Sequence, residues 1–249
     1  MISFINPFNR YEWMIAIRYL RSKRSDGGIS SMTWISLIGI SLAVFALIAT
    51  LAVRTGFRAE FVNTILGANA HASIYNSPYI NNDGVVVSGF ANYNQIKNNI
   101  ENIEGVLSVS PVVKGQVMAN ANGQNQGVEV FGETLIDIKK LPLIMSPELS
   151  YGSIDSFEKG IAIGSGIARS LGLKLGDTLT LISPDGVKTA FGTSPRINGF
   201  EVVYIFQVGR YDIDNTRIYM PLADAQIYFN SEGRVDEFEV IVNEPEDID

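Results

Sequence analysis

Residues 34–53 read WISLIGISLAVFALIATLAV, twenty positions interrupted only by the small hydroxyl side chains Ser36, Ser41 and Thr50. No charged residue occurs from 27 to 53. At about 1.5 Å of rise per residue such a helix covers about 30 Å, the thickness of a bilayer's hydrocarbon core, whereas a core helix of a soluble domain would carry a polar stripe. The stretch predicts a membrane-spanning helix, and it divides the chain into a short head and a long body. Arg10, Arg18, Arg21, Lys23 and Arg24 precede it and only Arg54 and Arg58 follow closely. That bias places the N-terminus in the cytoplasm. A cleaved signal peptide fits less well: the apolar run exceeds the usual core of about 7–15 residues, and the Ala68-Asn69-Ala70 site lies beyond the charged stretch 54–60.

The flanks extend the anchor. Residues 11–24 (YEWMIAIRYLRSKR) predict a helix with Arg10, Arg18 and Arg21 on one side and Trp13, Ile17 and Leu20 on another, suited to the inner membrane surface. Within the span Gly39, Ala43, Ala46 and Thr50 recur at helical spacing, a strip of small side chains that a second helix can approach. After it Phe57, Phe61 and Ile65 recur every four residues, so the helix is expected to continue as a stalk until Gly67 stops it.

Composition separates the two parts. The 249 residues carry a formal charge of -7 and no cysteine, but seven basic and two acidic residues lie through Arg58 (net +5) against twelve and twenty-four beyond it (net -12). A basic head and an acidic body suit an anionic membrane surface and an aqueous compartment, and the acidic body excludes nucleic acid as a partner. The body shows β-rich stretches at 71–75, 106–118, 127–131, 160–163, 178–182, 199–208, 217–220 and 238–242, with helical spacing after Asn92, around Ile167, Ala168 and Leu171, and from Pro221. The fold class expected is α+β. Asn122-Gly123 predicts a tight hairpin. Residues 183–198 (SPDGVKTAFGTSPRIN) interrupt the strand pattern with two prolines and two glycines and are expected to project as a loop or a long hairpin.

Catalytic chemistry is missing from the sequence. There is no Gly-x-x-x-x-Gly-Lys-Ser/Thr phosphate loop, so energy from ATP must come from another chain. With no cysteine and one histidine, His71, no metal or cofactor site is expected, and His71 reads as a hydrogen-bonded structural residue. Gly164-Ser165-Gly166 reads as a helix start rather than a nucleophile elbow. Asp155, Glu158, Asp185, Asp212 and Asp214 read as solvated surface carboxylates.

Taken together, the N-terminal segment EWMIAIRYLR (12–21), Gly56-Phe57-Arg58 with Glu60, Ile65-Leu66-Gly67 and His71, and LGLKLGDT (171–178) resemble the LolC/LolE family, membrane subunits of the lipoprotein-releasing ABC transporter, over nearly the whole chain. The resemblance implies three regions: a cytoplasmic basic helix at 1–30, a transmembrane helix and stalk at 31–66, and a MacB-type mixed α/β periplasmic core domain at 67–249. It implies a LolD-like ATPase, a LolA-like periplasmic carrier, a second LolC/LolE-type subunit in a homo- or heterodimer, and lipoprotein acyl chains as cargo. The projecting section resembles the family's carrier-docking hook, which assigns that role to Phe191, Gly192, Thr193, Ser194, Pro195 and Arg196, with Arg196 able to make forked hydrogen bonds to carbonyls or carboxylates. Gly39, Ala43, Phe57 and Phe61 are then expected near a lipid path or helix interface. The family carries three further spanning helices after this domain, so a chain ending at Asp249 is expected to be a partial sequence. The alternative is a MacB-like efflux or FtsX-like mechanotransmission subunit; about thirty residues ahead of the anchor leave no room for the ATPase of a MacB chain, and the body is large for FtsX.

Overall fold

The structure, a computed structural model, describes residues 10–21, 27–66, 69–80, 86–146, 150–189 and 192–243. The chain divides into two compact units, Met1–Phe61 and Val62–Asp249.

The first unit holds α1 (Arg10–Arg21) and the greater part of α2 (Gly27–Leu66), a continuous helix of 40 residues. Within α2, Ser31–Arg58 is long and apolar enough to cross a membrane. Its hydroxyls are handled internally: Thr50 Oγ1 donates to the Ala46 carbonyl at 2.7 Å and Thr55 Oγ1 to that of Leu51 at 2.9 Å. Hydrocarbon could not solvate these groups, so bonding back to the preceding turn is the local solution. The helix runs on past Arg58 to Leu66, as the spacing of Phe57, Phe61 and Ile65 predicts.

The second unit is built on strands β1 (Ala72–Tyr75), β2 (Tyr79–Ile80), β3 (Val86–Val87), β4 (Phe90–Ala91), β5 (Val106–Ala121), β6 (Gln124–Glu133), β7 (Tyr151–Gly152), β8 (Ile161–Gly164), β9 (Thr178–Thr189), β10 (Gly192–Phe206), β11 (Arg217–Pro221), β12 (Arg234–Val235) and β13 (Glu237–Val242). Among the described residues nine of these form one sheet in the order β1-β13-β5-β6-β11-β8-β10-β7. Strand β9 pairs with both β10 and β5, so the pairing runs in a closed circuit from β5 through β6, β11, β8, β10 and β9 back to β5. β11 is parallel to β6 and β8 to β10; the other contacts in the sheet are antiparallel.

Side-chain alternation splits the core in two. Val113, Val117, Val130, Ile161, Ile163, Ile218 and Met220 point to one side, where α3 (Tyr93–Glu101), α5 (Ser165–Leu171) and α7 (Leu222–Tyr228) add Ile96, Ile167, Leu171, Ala225 and Tyr228. Val112, Phe131, Ala162 and Tyr219 point to the other, covered by α4 (Leu135–Ile138), a 3-10 helix (Ile154–Lys159) and α6 (Tyr211–Thr216) through Ile138, Phe157 and Ile213. This is the period of two that strands impose. It slips once, in β10, where the register with β8 shifts between Val202 and Tyr204, so that Val202 and Ile205 face one core and Tyr204 and Phe206 the other.

Several sequence signals land where expected. Asn122 and Gly123 have φ of 50° and 76°, the doubly left-handed turn that closes a two-residue hairpin, here joining β5 to β6. The Asn122 amide also donates to Leu171 O at 2.8 Å and Gly172 O at 3.2 Å, tying the turn to the end of α5. The LGLKLGDT stretch has a local explanation. Gly172 ends α5 at φ 65°, Leu173 N bonds back to Ala168 O at 2.8 Å, Asp177 accepts from Lys174 N at 2.7 Å, and the next turn docks on β10 through Gly176 N to Val202 O at 2.9 Å. His71 Nδ1 receives the Val242 amide at 3.1 Å. Gly164 is the N-cap of α5.

Residues 183–198 take the second of the two expected forms, a long hairpin: β9 and β10 continue into this section as a paired ribbon. One expectation is corrected. Asp214 is no surface group; it is buried and accepts from Val208 N at 2.8 Å and Gly209 N at 3.0 Å, closing the turn into α6. Asp155 and Asp212 do lie at the surface, paired with Lys139 and Arg210; the Asp185 side chain is outside the described residues.

A second buried acid cluster had no sequence signal. Glu133, at the end of β6, is buried, and its Oε1 has no hydrogen-bond partner among the described residues. Its carboxyl is pushed well above the ordinary 4.5, first by burial, then by Glu239 and Asp137, with Arg217 opposing. Glu239 is raised in the same way, burial first. A carboxyl raised in the folded state gives stability that is fully present below its unfolded value near 4.5 and is lost as pH climbs toward the folded value. Stability of the body should therefore fall from mildly acidic to alkaline pH. Glu133→Gln removes the proton from the balance. It should match the parent near pH 4.5 and exceed it at pH 8, read from thermal melts of the detergent-solubilised chain. An offset that is the same at both pH values would contradict this account of Glu133.

Candidate functional site

The hairpin of β9 and β10 has a root and a free part. At the root, Thr178 to Ser183 pair with Glu201 to Arg196, and β9 is also held by β5 through Ile182 opposite Met118, Leu181 opposite Ala119 and Thr180 opposite Asn120. Beyond Ser183 and Arg196 the two strands pair, among the described residues, only with each other: Val187 with Ser194, Lys188 with Thr193, Thr189 with Gly192. Between root and free part lies a bulge in which 184–186 oppose the single residue Pro195. Pro184 and Pro195 lack the amide that an uninterrupted ladder would need, so both fall where the ladder is already broken. Gly186 is required there for space: a Cβ on it would lie 1.8 Å from Ser194 O and 2.8 Å from Arg196 N.

Of the residues assigned to this section from sequence, Gly192 and Thr193 form the end of the ribbon, and Ser194 and Pro195 are exposed. Phe191 lies outside the described residues. Arg196 makes its forked hydrogen bonds within the chain. Its guanidinium is turned into the body, where Nη1 donates to Ile227 O and, at 3.0 Å, to Tyr228 O, and Nη2 donates to Asn230 Oδ1 at 2.7 Å. These are acceptors at the C-terminal end of α7, where a helix leaves carbonyls unsatisfied and a cation is favoured.

Beside the root lies an open groove of about 700 Å³ whose lining includes Val117, Met118, Val128, Ile182, Pro184 and Pro195. Met118 and Ile197 are exposed apolar residues next to it in sequence or pairing. The groove escaped the sequence reading because it is assembled from two hairpins far apart in the chain. Only the prolines and glycines of 183–198 hinted at a special backbone there.

On α2, Gly39, Ala43 and Phe57 are exposed, and a Cβ added to Gly39 would meet nothing within 4 Å. The Phe61 side chain lies outside the described residues. The hairpin and this helix strip belong to different units.

Residues 33–249 match the family described as MacB-like periplasmic core domain. The lipoprotein-releasing system transmembrane protein LolC of Neisseria meningitidis serogroup B is 30% identical over 231 residues, 92% of this chain and 53% of that protein. The LolE protein of the same name series from Haemophilus influenzae is 28% identical over 87% of this chain and 51% of that protein. The chain thus spans about half the length of the curated relatives it matches. The periplasmic region of MacB from Actinobacillus actinomycetemcomitans superposes at a TM-score of 0.45 and 11% identity, covering 74% of this chain and 79% of that one. With the family match running over most of its residues, the chain belongs to the MacB-like periplasmic core domain family.

Proposed function

We propose that this chain is the N-terminal part of a permease subunit of an ABC transporter that releases outer-membrane lipoproteins from the inner membrane and passes them to a LolA-like periplasmic carrier. The observation that carries the reading is the β9–β10 ribbon, held at its root by β5 and α7 and, beyond Pro195, paired among the described residues only with itself, in a chain whose relatives are named lipoprotein-releasing proteins. The N-terminus is cytoplasmic and the body periplasmic. A LolD-like ATPase supplies the energy, and a second subunit of the same type completes the membrane path, with Gly39, Ala43, Phe57 and Phe61 near the acyl chains.

In this reading the ribbon offers the carrier backbone edges and the groove beside it offers apolar area around Met118. A two-stranded ribbon is marginal alone, so it gains from a partner that covers it. The full chain in nanodiscs should capture a purified LolA-like carrier with micromolar affinity, measured by surface plasmon resonance. Replacing 187–194 by a two-residue Asn-Gly turn should abolish capture, and Met118→Asp should weaken it several-fold. Equal capture by the intact and shortened chains would remove the hairpin from the docking role.

A further inference from the structure

The hook's direction has to be set by something, and its own strands do not set it. Past the root, β9 leaves β5, and what continues is a two-stranded ribbon jointed by a three-against-one bulge. Such a ribbon can swing about its joint. One side chain at the joint reaches back to the body: Arg196, the residue directly after Pro195, spans from β10 to the end of α7, where it bonds Ile227 O, Tyr228 O and Asn230 Oδ1.

The receiving end is itself closely packed. α7 sits against the sheet so closely that a Cβ at Gly132 of β6 would lie 2.2 Å from the Ala225 Cβ, and one at Gly115 of β5 would lie 2.3 Å from the Phe229 ring. Tyr228 also packs edge-on against Phe200 of β10 and against Phe229, at centroid distances of 5.7 and 5.0 Å. The planar fork suits this role, since two nitrogens reach three acceptors in one orientation, which an ammonium on a flexible stem does not reproduce.

We propose that Arg196 is a positioning residue, a latch that fixes the angle of the hook by pinning its root to the C-terminal end of α7, and that it does not contact the carrier. The proposal rests on the docking reading for its consequence but not for its geometry. Fixing the ribbon beforehand removes the ordering cost that a swinging hook would add on binding.

The chain has no cysteine, so two labels can be placed without background: Thr193→Cys on the ribbon and Glu158→Cys on the exposed 3-10 helix. Spin-label distance distributions are measured on the full chain in nanodiscs. The parent should give one narrow distribution. Arg196→Ala should at least double its width, Arg196→Lys should fall between, and Asn230→Gly should widen it as well. Glycine is the choice at position 230 because Asn230 sits at φ 56°, a conformation glycine tolerates. Carrier affinity should fall about five- to tenfold in both Arg196→Ala and Asn230→Gly. Unchanged distance distributions in Arg196→Ala overturn the latch. So does a loss of affinity in Arg196→Ala with full affinity in Asn230→Gly, since that pattern belongs to a direct contact. If the parent chain binds no carrier, the docking reading fails, and the distances alone still decide the latch.

Discussion

Arg217→Ala should lower the melting temperature of the body by about 10 °C. Arg217 begins β11, with its guanidinium carbon 4.4 Å from the centre of the Phe131 ring. Nη1 donates to the Tyr219 hydroxyl at 3.2 Å and Nη2 to Asn69 Oδ1 at 2.9 Å, so it joins the segment that follows α2 to the sheet. It also opposes the raised carboxyls of Glu133 and Glu239. Without it, Lys114, at 3.6 Å from Glu129 and 3.7 Å from Glu237, is left facing the same acidic face. Removing one member of a buried charge group costs about 3 kcal/mol or more, because the remaining charges stay desolvated. In a unit of this size each kcal/mol moves the midpoint by about 2–4 °C. The deficit should grow with pH, since loss of Arg217 raises Glu133 and Glu239 further. Adding Glu133→Gln should return part of the loss, a coupling that a double-mutant cycle measures directly. Additive effects of the two substitutions would mean that Arg217 acts through packing on Phe131 instead.

That cluster also marks the limit of sequence reading. The strands β5, β6, β8 and β11 were legible as short β-rich runs because both faces of the sheet are apolar, and Asn122-Gly123 was legible because few other pairs accept two left-handed residues. Glu133 and Asp214 were not, since a lone carboxylate in sequence looks like surface until distant strands and turns bury it. The ribbon was half legible. Its prolines and glycines suggested a loop or a long hairpin without deciding between them, and only the bulge shows that the prolines sit where no amide is needed. For Arg196 the sequence identified the position but not the direction, because its three acceptors lie about thirty residues further along, at the end of α7. Very short elements such as β7 and β12 exist only by pairing with neighbours and carry no local pattern.

The second large effect concerns the bulge. Gly186→Ala should cut carrier capture by about thirtyfold while moving the melting temperature of the body by less than about 3 °C. A Cβ at this position would lie 1.8 Å from Ser194 O, 2.8 Å from Arg196 N and 2.9 Å from the Pro195 carbonyl carbon. All three are backbone atoms of the opposite strand, so no side-chain rotation relieves the overlap. The strands must part, at a cost of about 3 kcal/mol if nothing else gives. The cheapest place to give is the free ribbon, whose three pairs beyond the bulge have no neighbouring strand among the described residues, whereas the root is held by β5 on one side and by Arg196 on the other. The strain therefore opens the hook and leaves the core intact. Limited proteolysis separates the outcomes: the variant should be cut within 187–194 at protease levels that leave the parent whole, with the rest of the body resistant. If Gly186→Ala instead unfolds the whole body, the bulge belongs to the core, and the ribbon is not the separable docking element argued above.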